Sequence, residues 1–263
     1  MSSSDQPRRA LVTGASRGIG RASAIALAQA GHHVVAAARS LDGLAETAEH
    51  AAGRGAAGRI LPVVCDLDNL ADTASLTDRA TEACGGSIDI LVHCAGIARP
   101  ARVTDLSLED WHASMRVNVT SALVLARSCV PAMTESGWGR IVGIGSLYSR
   151  MGAQFSGAYA TSKHALLGLM RVLAMELATK GVTANTVIPG WTDTEMVRSE
   201  AENVAAARGF SPEEAVRRFL RMQPLGRMVT PDEVGGLVAY LCSEAAAAIT
   251  GQAVNIDGGS LQS

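Results

Sequence analysis

Short apolar runs alternate with segments of helical periodicity along nearly the whole chain. The first run, residues 9–13 (RALVT), leads through a glycine-rich turn into a helical segment that stops at Gly31, and the pattern then repeats. Such alternation predicts a parallel sheet covered by helices on both faces. The runs are rich in Val and Ile and bounded by glycine, as strands buried on both faces require. We therefore expect an α/β fold with a single Rossmann-type, doubly wound parallel sheet.

The same pattern gives the other elements and the domain organisation. Strands are predicted at 32–39, 59–66, 88–96, 139–146, 182–190 and 251–257, and helices at 40–52, 70–85, 108–133, 157–179 and 231–243. Only residues 190–228 depart from the alternation of strands and helices. Long connecting segments after a strand often form lids over a site. With no repeat or linker in view, we predict a single domain over 1–263, with 190–228 as a lid.

Charge and composition exclude several function classes. The formal net charge is −2 and no Lys/Arg-rich run is present, so neither nucleic acid nor an anionic membrane is an expected partner. The amino terminus lacks the apolar core of a signal peptide, and no apolar run long enough to span a bilayer is evident. The five cysteines form no C-x-x-C pair, which fits reduced thiols, a cytoplasmic location and no metal site.

His93 and Cys94 are neighbours on a predicted strand and could be imagined as a base and its nucleophile. Adjacent strand residues point to opposite faces, which argues against that pairing.

The glycine turn, TGASRGIG, places Gly14, Gly18 and Gly20 between the first strand and the first helix. Small residues let a backbone approach a pyrophosphate closely, and the following helix offers unpaired N–H groups to it. Tight turns also need glycine for ordinary geometric reasons. The position between strand and helix is the context that a nucleotide site demands.

The end of the second strand indicates which cofactor is bound. A carboxylate there would hold the ribose hydroxyls of NAD, whereas this chain has Ala38 followed by Arg39. Arg39, together with Arg17 in the glycine turn, could pair with a 2′-phosphate. Both arginines could also be solvated surface residues. We expect NADP(H) to be preferred, with NAD(H) possible.

Tyr159 and Lys163 lie one helical turn apart in a chain whose only other lysine is Lys180. Both side chains project from one face, and an ammonium group near a phenol lowers the phenol pKa toward the range of a useful proton donor. Ser146 ends a predicted strand, where its hydroxyl could hold a substrate carbonyl or merely cap the next turn. A chance surface pair of Tyr and Lys would look the same.

Taken together, these motifs resemble the classical short-chain dehydrogenase/reductase family from Ala10 to Gly259. The matching segments are TGASRGIG, Asp66, HCAG, Asn118 in VNVT, the Ser146, Tyr159 and Lys163 set, PGWTDT and ITGQAVNIDGG. HCAG departs from the family pattern, in which two asparagines commonly precede Ala-Gly. Within the family the likeness is to 3-oxoacyl-thioester reductases and polyketide ketoreductases.

The resemblance implies hydride transfer between nicotinamide and a carbonyl or secondary alcohol. Tyr159 would be the general acid in reduction, Ser146 would orient the carbonyl oxygen, Lys163 would also bind the nicotinamide ribose, and Asn118 would hold a water. The implied cofactor-binding residues are Gly14, Ser16, Arg17, Gly18, Ile19, Gly20, Arg39, Asp66, Leu67, Ala95, Gly96, Tyr159, Lys163, Pro189, Gly190, Thr192 and Thr194. Family members are usually tetramers or dimers, so a homotetramer or homodimer is expected.

The substrate pocket is expected to be apolar, which suits an acyl chain or a cyclic ketone better than a sugar. Its predicted lining residues are Ser146, Tyr148, Met151, Gln154, Phe155, Tyr159 and Trp191, with Leu147 and Met196 beside them. Plain core packing is the alternative for each apolar one. Arg99 and Arg150 could attract an acidic substrate group, although surface solvation explains both.

The sequence therefore supports three hypotheses. The first is an NADPH-dependent ketoreductase acting on a 3-oxoacyl thioester or a bulky or cyclic ketone. The second is an NAD-linked secondary alcohol dehydrogenase that works oxidatively on a hydroxy acid, hydroxyacyl-CoA or sugar. The third is a nucleotide-binding regulator without catalysis, which the presence of Tyr159, Lys163, Ser146 and Asn118 disfavours.

Overall fold

Seven parallel strands form the centre of the computed structural model, which describes residues 7–262. Their order across the sheet is β3-β2-β1-β4-β5-β6-β7. The strands are β1 Arg9–Thr13, β2 His33–Ala38, β3 Ile60–Val64, β4 Ile90–His93, β5 Gly139–Ile144, β6 Val182–Pro189 and β7 Ala253–Ile256. The expected Rossmann-type doubly wound sheet is confirmed, with strands that mostly begin or end one or two residues inside the predicted runs.

Helices cover both faces of this sheet. They are α1 Gly18–Gln29, α2 Leu41–Gly53, α3 Leu70–Cys84, α4 Leu108–Met115, α5 Ser121–Ser136, α6 Gly157–Leu177, α7 Glu195–Arg208, α8 Pro212–Arg221 and α9 Pro231–Leu241. Residues of α1, α2 and α9 pack into one core cluster, and residues of α3, α5 and α6 pack into a second. The two clusters lie on opposite faces because alternate residues of a strand, such as Val12 and Leu11, join different clusters.

The predicted helix at 108–133 contains an interruption that its apolar pattern does not indicate. A π-helical turn at Arg116–Thr120 separates α4 from α5. Such turns insert one extra residue into the helical ladder and occur frequently at functional sites. Here the turn carries Asn118, whose side chain is buried.

The stretch Leu108–Ser136 is also long and apolar enough to cross a membrane by length and composition alone. The sequence-based expectation that no such run exists missed this stretch. In the fold it packs against α3 and α6 beside the sheet, as core helices do.

The segment 190–228, which broke the strand and helix rhythm, forms α7 and α8. The two helices have a small apolar cluster of their own, made by Trp191, Ala201, Ala205, Ala215 and Phe219. Trp191 and Phe219 stack with ring centroids 3.9 Å apart. The segment therefore contributes little to the two main core clusters.

The strand order reverses between β1 and β4, because the chain moves outward to β2 and β3 before it returns to β4. In open parallel sheets, ligands bind at the carboxyl ends of the strands beside such a reversal. The glycine turn follows β1, and the HCAG segment follows β4 with only its histidine inside the strand. The topology thus brings both sequence motifs to one crevice.

Candidate active site

The glycine turn forms a close-packed cradle at the end of β1. A Cβ atom added to Gly20 would lie 2.2 Å from the carbonyl oxygen of Gly14, and one added to Gly14 would lie 2.8 Å from the Cα of Ala95. Gly14 and Gly18 also have positive φ values of 67° and 55°. The N-cap residue of α1, Arg17, makes no side-chain capping hydrogen bond within residues 7–262, which leaves the first N–H groups of the helix for a ligand. This cradle fits the pyrophosphate of a dinucleotide.

The two arginines predicted to meet a 2′-phosphate have different surroundings. Arg17 forms an ion pair with Glu195, the first residue of α7. Arg39 is exposed directly after β2, and within residues 7–262 its guanidinium makes no hydrogen bond or ion pair. Ser40 caps α2, and a Cβ atom at Gly43 would lie 2.9 Å from the Cβ of Ser16. Arg39 therefore stands beside both a helix amino terminus and the glycine turn.

The predicted adenosine side of the crevice is built from the ends of β3 and β4. The Asp66 carboxylate accepts the backbone N–H of Asp68 at 3.1 Å, and Leu67 is buried. Ala95 donates its N–H to the Thr13 hydroxyl at 3.2 Å. At Gly96 an added Cβ atom would lie 3.3 Å from the Lys163 Nζ. Among the predicted cofactor-binding residues after β4, Gly96 therefore lies next to Lys163.

Asn118 connects this strand end to α6. Its side-chain amide donates to the Ile97 carbonyl at 3.0 Å and to the Ser162 hydroxyl at 2.8 Å, while its oxygen accepts the Ile97 N–H at 2.8 Å. Ser162 lies between Tyr159 and Lys163 on α6. The π-helical turn thus orients Asn118 so that it holds α6 against the segment that follows β4.

Ser146, Tyr159 and Lys163 come together as the spacing predicts. Ser146 follows β5, where its hydroxyl accepts the N–H of Tyr148 at 3.2 Å and acts electrostatically on the Tyr159 side chain. The Lys163 Nζ donates to the Ile144 carbonyl at 2.7 Å and lies 5.6 Å from the Tyr159 ring centroid. A hydroxyl donor, a phenol and an ammonium group therefore surround one point at the carboxyl edge of the sheet.

The pKa values of this pair correct one part of the sequence argument. Burial raises the pKa of Tyr159 to about 12, and the nearby Ser146 side chain, which lowers it, only partly offsets that rise. Burial also lowers the pKa of Lys163 to about 8. The expected lowering of the phenol pKa by the ammonium is not seen in the chain alone, where burial is the largest cause and the shift is upward. At neutral pH Tyr159 carries its proton, as a general acid in reduction must.

His93 and Cys94, which replace the residues common in the family, have separate environments. The Thr13 hydroxyl accepts the backbone N–H groups of Cys94 and Ala95, so its own proton is available to the Nδ1 of His93, 3.2 Å away. Burial lowers the pKa of His93 to about 3 and raises that of Cys94 to about 12. A neutral imidazole and a protonated thiol at pH 7 do not form a nucleophilic pair.

An aromatic corner lies beside Tyr159. The Tyr148 ring contacts the Tyr159 ring edge-on, with centroids 6.2 Å apart, and meets Trp191 in the same way at 6.5 Å. Trp191 is only 6% exposed, so most of its surface already packs within the α7 and α8 segment. Its position as a lining residue remains a prediction.

The loop before α6 carries the remaining predicted lining residues. Met151 and Phe155 are each 42% exposed, and Gln154 accepts a hydrogen bond from Arg208 of α7 at 3.1 Å. Phe155 has a φ of 63°, a costly conformation for a bulky residue that is often found at binding sites. Leu147, by contrast, is buried.

The residues after β6 run toward the glycine turn. The hydroxyl of Thr192 donates to the Gly190 carbonyl at 3.0 Å, and Thr194 caps α7 by accepting the N–H of Val197. The Thr194 Cγ2 would lie 3.3 Å from a Cβ atom at Gly18. Pro189 ends β6. This segment therefore extends from the sheet edge to the cradle that would hold the cofactor.

The sequence analysis missed two residues in this region. Gln223 is fully buried and accepts the N–H of Trp191 at 2.9 Å, so it fixes the segment after β6. Glu200, on α7, acts electrostatically on both Tyr148 and Tyr159. No local sequence pattern marks either residue, because each reaches this region through tertiary packing.

Known proteins resemble the chain over nearly its whole length. A family described as enoyl-(acyl carrier protein) reductase matches residues 14–260. The D-beta-hydroxybutyrate dehydrogenase of Cupriavidus necator is 38% identical over 96% of this chain and 97% of its own, and the 3-oxoacyl-[acyl-carrier-protein] reductase of Escherichia coli K12 is 35% identical over 95% and 96%. The solved structure of a variant actinorhodin polyketide ketoreductase with NADPH superposes with a TM-score of 0.91, at 35% identity and 99% coverage of both chains.

Proposed function

Given that the chain belongs to the short-chain dehydrogenase/reductase family of oxidoreductases, we propose that it is an NADPH-dependent carbonyl reductase and secondary alcohol dehydrogenase. Its substrate would be a ketone, either a 3-oxoacyl thioester or a bulky or cyclic ketone. The observation that carries this proposal is the convergence of Ser146, a protonated Tyr159 and Lys163 beside the glycine cradle.

The chain's own residues perform the proton chemistry of this reaction. When bound, the reduced nicotinamide supplies the hydride to the carbonyl carbon. The Ser146 hydroxyl holds the carbonyl oxygen, and Tyr159 transfers its hydroxyl proton to that oxygen. Lys163, charged below a pKa of about 8, stabilises the phenolate that this transfer leaves. Asn118 has one further lone pair on its side-chain oxygen for the water that returns a proton to the site.

The choice of NADP(H) rests on Arg39. Its guanidinium is exposed and without a partner within residues 7–262, and it lies next to the amino terminus of α2. No acidic side chain stands at this position to hold ribose hydroxyls and repel a phosphate. The solved structure of the related actinorhodin ketoreductase contains NADPH.

A direct assay tests the proposed function. Purified protein and NADPH should lose the absorbance of the reduced nicotinamide when a 3-oxoacyl thioester or a cyclic ketone is added. NADH should give a slower reaction. Failure to turn over any member of a broad ketone panel with either cofactor would contradict the proposal and favour a nucleotide-binding regulator.

An oxidative, NAD-linked secondary alcohol dehydrogenase is the second candidate. The 38% sequence identity with a D-beta-hydroxybutyrate dehydrogenase favours this candidate. The same residues would then work in reverse, with Tyr159 as the base. A pKa raised to about 12 opposes that direction in the chain alone, because little phenolate is present at neutral pH. Comparing initial rates of 3-hydroxybutyrate oxidation with NAD and of ketone reduction with NADPH separates the two candidates.

The segment 190–228 is proposed to act as a lid within one catalytic domain spanning 1–263. Its helices pack on each other, and α7 reaches both the glycine turn, through Glu195 and Arg17, and the loop before α6, through Arg208 and Gln154. Exposed contacts of this kind contribute little stability, so the lid can separate from the site at small cost. Slower proteolysis of this segment when NADPH is bound would support that role.

We also propose that the protein is a cytoplasmic homotetramer or homodimer. Val172 and Met175 on α6 are 53% and 84% exposed, and this outward apolar pair suits burial against a second copy. Sedimentation at micromolar concentration should give two or four times the chain mass. A single-chain mass would contradict this assembly.

A further inference from the structure

The chain segments before α7 and after α8, at the base of the proposed lid, are joined to each other beside the end of β7. The Trp191 carbonyl accepts the N–H of Val229, and the Val229 carbonyl accepts the N–H of Asp193, each at 2.9 Å. Gly190 donates its N–H to the carbonyl of Ile256 in β7 at 3.1 Å. The base of the lid is therefore a small hydrogen-bonded unit attached to the edge of the sheet.

Gln223 connects the two segments of this base through its side-chain amide, which is fully buried. Its Oε1 accepts the Trp191 N–H at 2.9 Å. Its Nε2 donates to the Arg227 carbonyl and, over a longer distance of 3.5 Å, to the Trp191 carbonyl. A carboxylate has no donor and an apolar side chain has neither donor nor acceptor, so the amide is the group that suits all three contacts.

Two glycines leave room for the Gln223 side chain. A Cβ atom added to Gly190 would lie 2.5 Å from its Oε1, and one added to Gly258, after β7, would lie 2.6 Å from its Cγ. Side-chain carbons do not approach other atoms so closely, so Gln223 fills the space between these two backbones. Packing as well as hydrogen bonding therefore fixes the segment after β6 relative to Gln223.

The segment held in this way lies at the end of the crevice where hydride transfer would take place. β6 is the neighbour of β5, which leads into Ser146, whereas Arg39 follows β2 on the other half of the sheet. A cofactor whose 2′-phosphate meets Arg39 would thus bring its nicotinamide end toward Gly190 and Thr192, two of the predicted cofactor-binding residues. The Thr192 hydroxyl donates to the Gly190 carbonyl at 3.0 Å, so the backbone between them positions both.

We propose that Gln223 is a positioning residue that holds the segment after β6 in the conformation that receives the nicotinamide half of NADP(H). This inference rests on the proposed function, and specifically on NADP(H) as the cofactor. Without the amide, the segment would adopt the receiving conformation for only part of the time, and the apparent Kd rises in inverse proportion to that fraction. Loss of buried hydrogen bonds changes such an equilibrium by about tenfold.

The test compares the binding of NADPH with that of adenosine 2′,5′-bisphosphate, which carries the 2′-phosphate but lacks the nicotinamide half. Titration calorimetry gives both Kd values for the wild type and for Gln223→Met, which keeps the size of the side chain and removes its amide. Gln223→Met should bind NADPH about tenfold more weakly and the bisphosphate as tightly as the wild type does. Gln29→Met makes the same change at an exposed position of α1 and should leave both Kd values unchanged.

The outcomes separate this inference from the proposed function. Equal weakening of both ligands would assign Gln223 a purely structural role, and unchanged NADPH binding would assign it none, so either result overturns the inference. If Gln223→Met does not fold, Gln223→Asn replaces it, because its amide is one methylene too short to join both segments, and the same selective loss is expected. A wild type that binds NADPH but reduces no ketone contradicts the proposed function and leaves the role of Gln223 to this comparison, whereas a wild type that binds no NADPH contradicts both.

Discussion

Tyr159→Phe should lower kcat/KM for ketone reduction by about 10²–10⁴-fold, the range that general acid catalysis contributes. The substitution removes only the phenol hydroxyl, on which the Ser146 side chain acts. The ring keeps its edge-on contact with Tyr148, so the fold of the site should persist. Initial rates with saturating NADPH over a range of ketone concentrations measure the loss in kcat/KM.

Two controls distinguish lost chemistry from lost structure. NADPH binding, measured by fluorescence titration, should be nearly unchanged in Tyr159→Phe because Lys163, the glycine turn and Arg39 are all intact. Tyr240→Phe makes the same chemical change on the outer side of α9, where the ring is 46% exposed, and should keep full activity. If Tyr159→Phe retained more than about a tenth of the wild-type kcat/KM, Tyr159 would not be the proton donor.

The high pKa of Tyr159 also bears on whether the enzyme works mainly in reduction or in oxidation. A phenol that stays protonated at neutral pH suits proton donation, and the carboxylate of Glu200 adds to that preference. The same feature handicaps oxidation, which requires the phenolate before the hydroxyl of the substrate can lose its proton. Burial of the site therefore favours ketone reduction over alcohol oxidation, although the same residues could catalyse either direction.

Much of the fold and the core of the site followed from local sequence patterns. Runs such as residues 9–13 are strands because they are apolar on both sides, and Tyr159 and Lys163 share a face because four residues make about one helical turn. Ser146 was placed correctly because the end of a buried strand fixes where the next residue emerges.

Other features depended on contacts that no local pattern encodes. The π-helical turn at Asn118 adds one residue to a helical ladder without altering the apolar rhythm on either side. Arg17 pairs with Glu195, far away in the sequence, so its availability to a phosphate could not be judged. The pKa of Tyr159 was mispredicted since desolvation depends on everything packed around the phenol. Glu200 was missed for the same reason.

Arg39→Asp should reverse the cofactor preference. A charge-assisted hydrogen bond contributes about 1.5–3 kcal/mol, so loss of the guanidinium should weaken NADPH binding by about 10- to 100-fold, and a new carboxylate beside the 2′-phosphate adds repulsion. The same carboxylate can accept hydrogen bonds from the ribose hydroxyls of NADH, whose kcat/KM should rise. Steady-state kinetics with both cofactors and one ketone measure the change.

The position of Arg39 makes this prediction sharper than one for Arg17. Arg17 already pairs with Glu195, so a substitution there would disturb the lid as well as the cofactor site. Arg39 has no partner to lose within residues 7–262, and any effect of Arg39→Asp is an effect on the ligand. Arg59→Asp makes the same charge change just before β3, at the opposite end of the sheet, and should leave both cofactors unaffected. If Arg39→Asp kept the preference for NADPH while Arg59→Asp behaved like the wild type, the phosphate would have to be held by another group, and Arg17 would be the remaining cation of the glycine turn able to hold it.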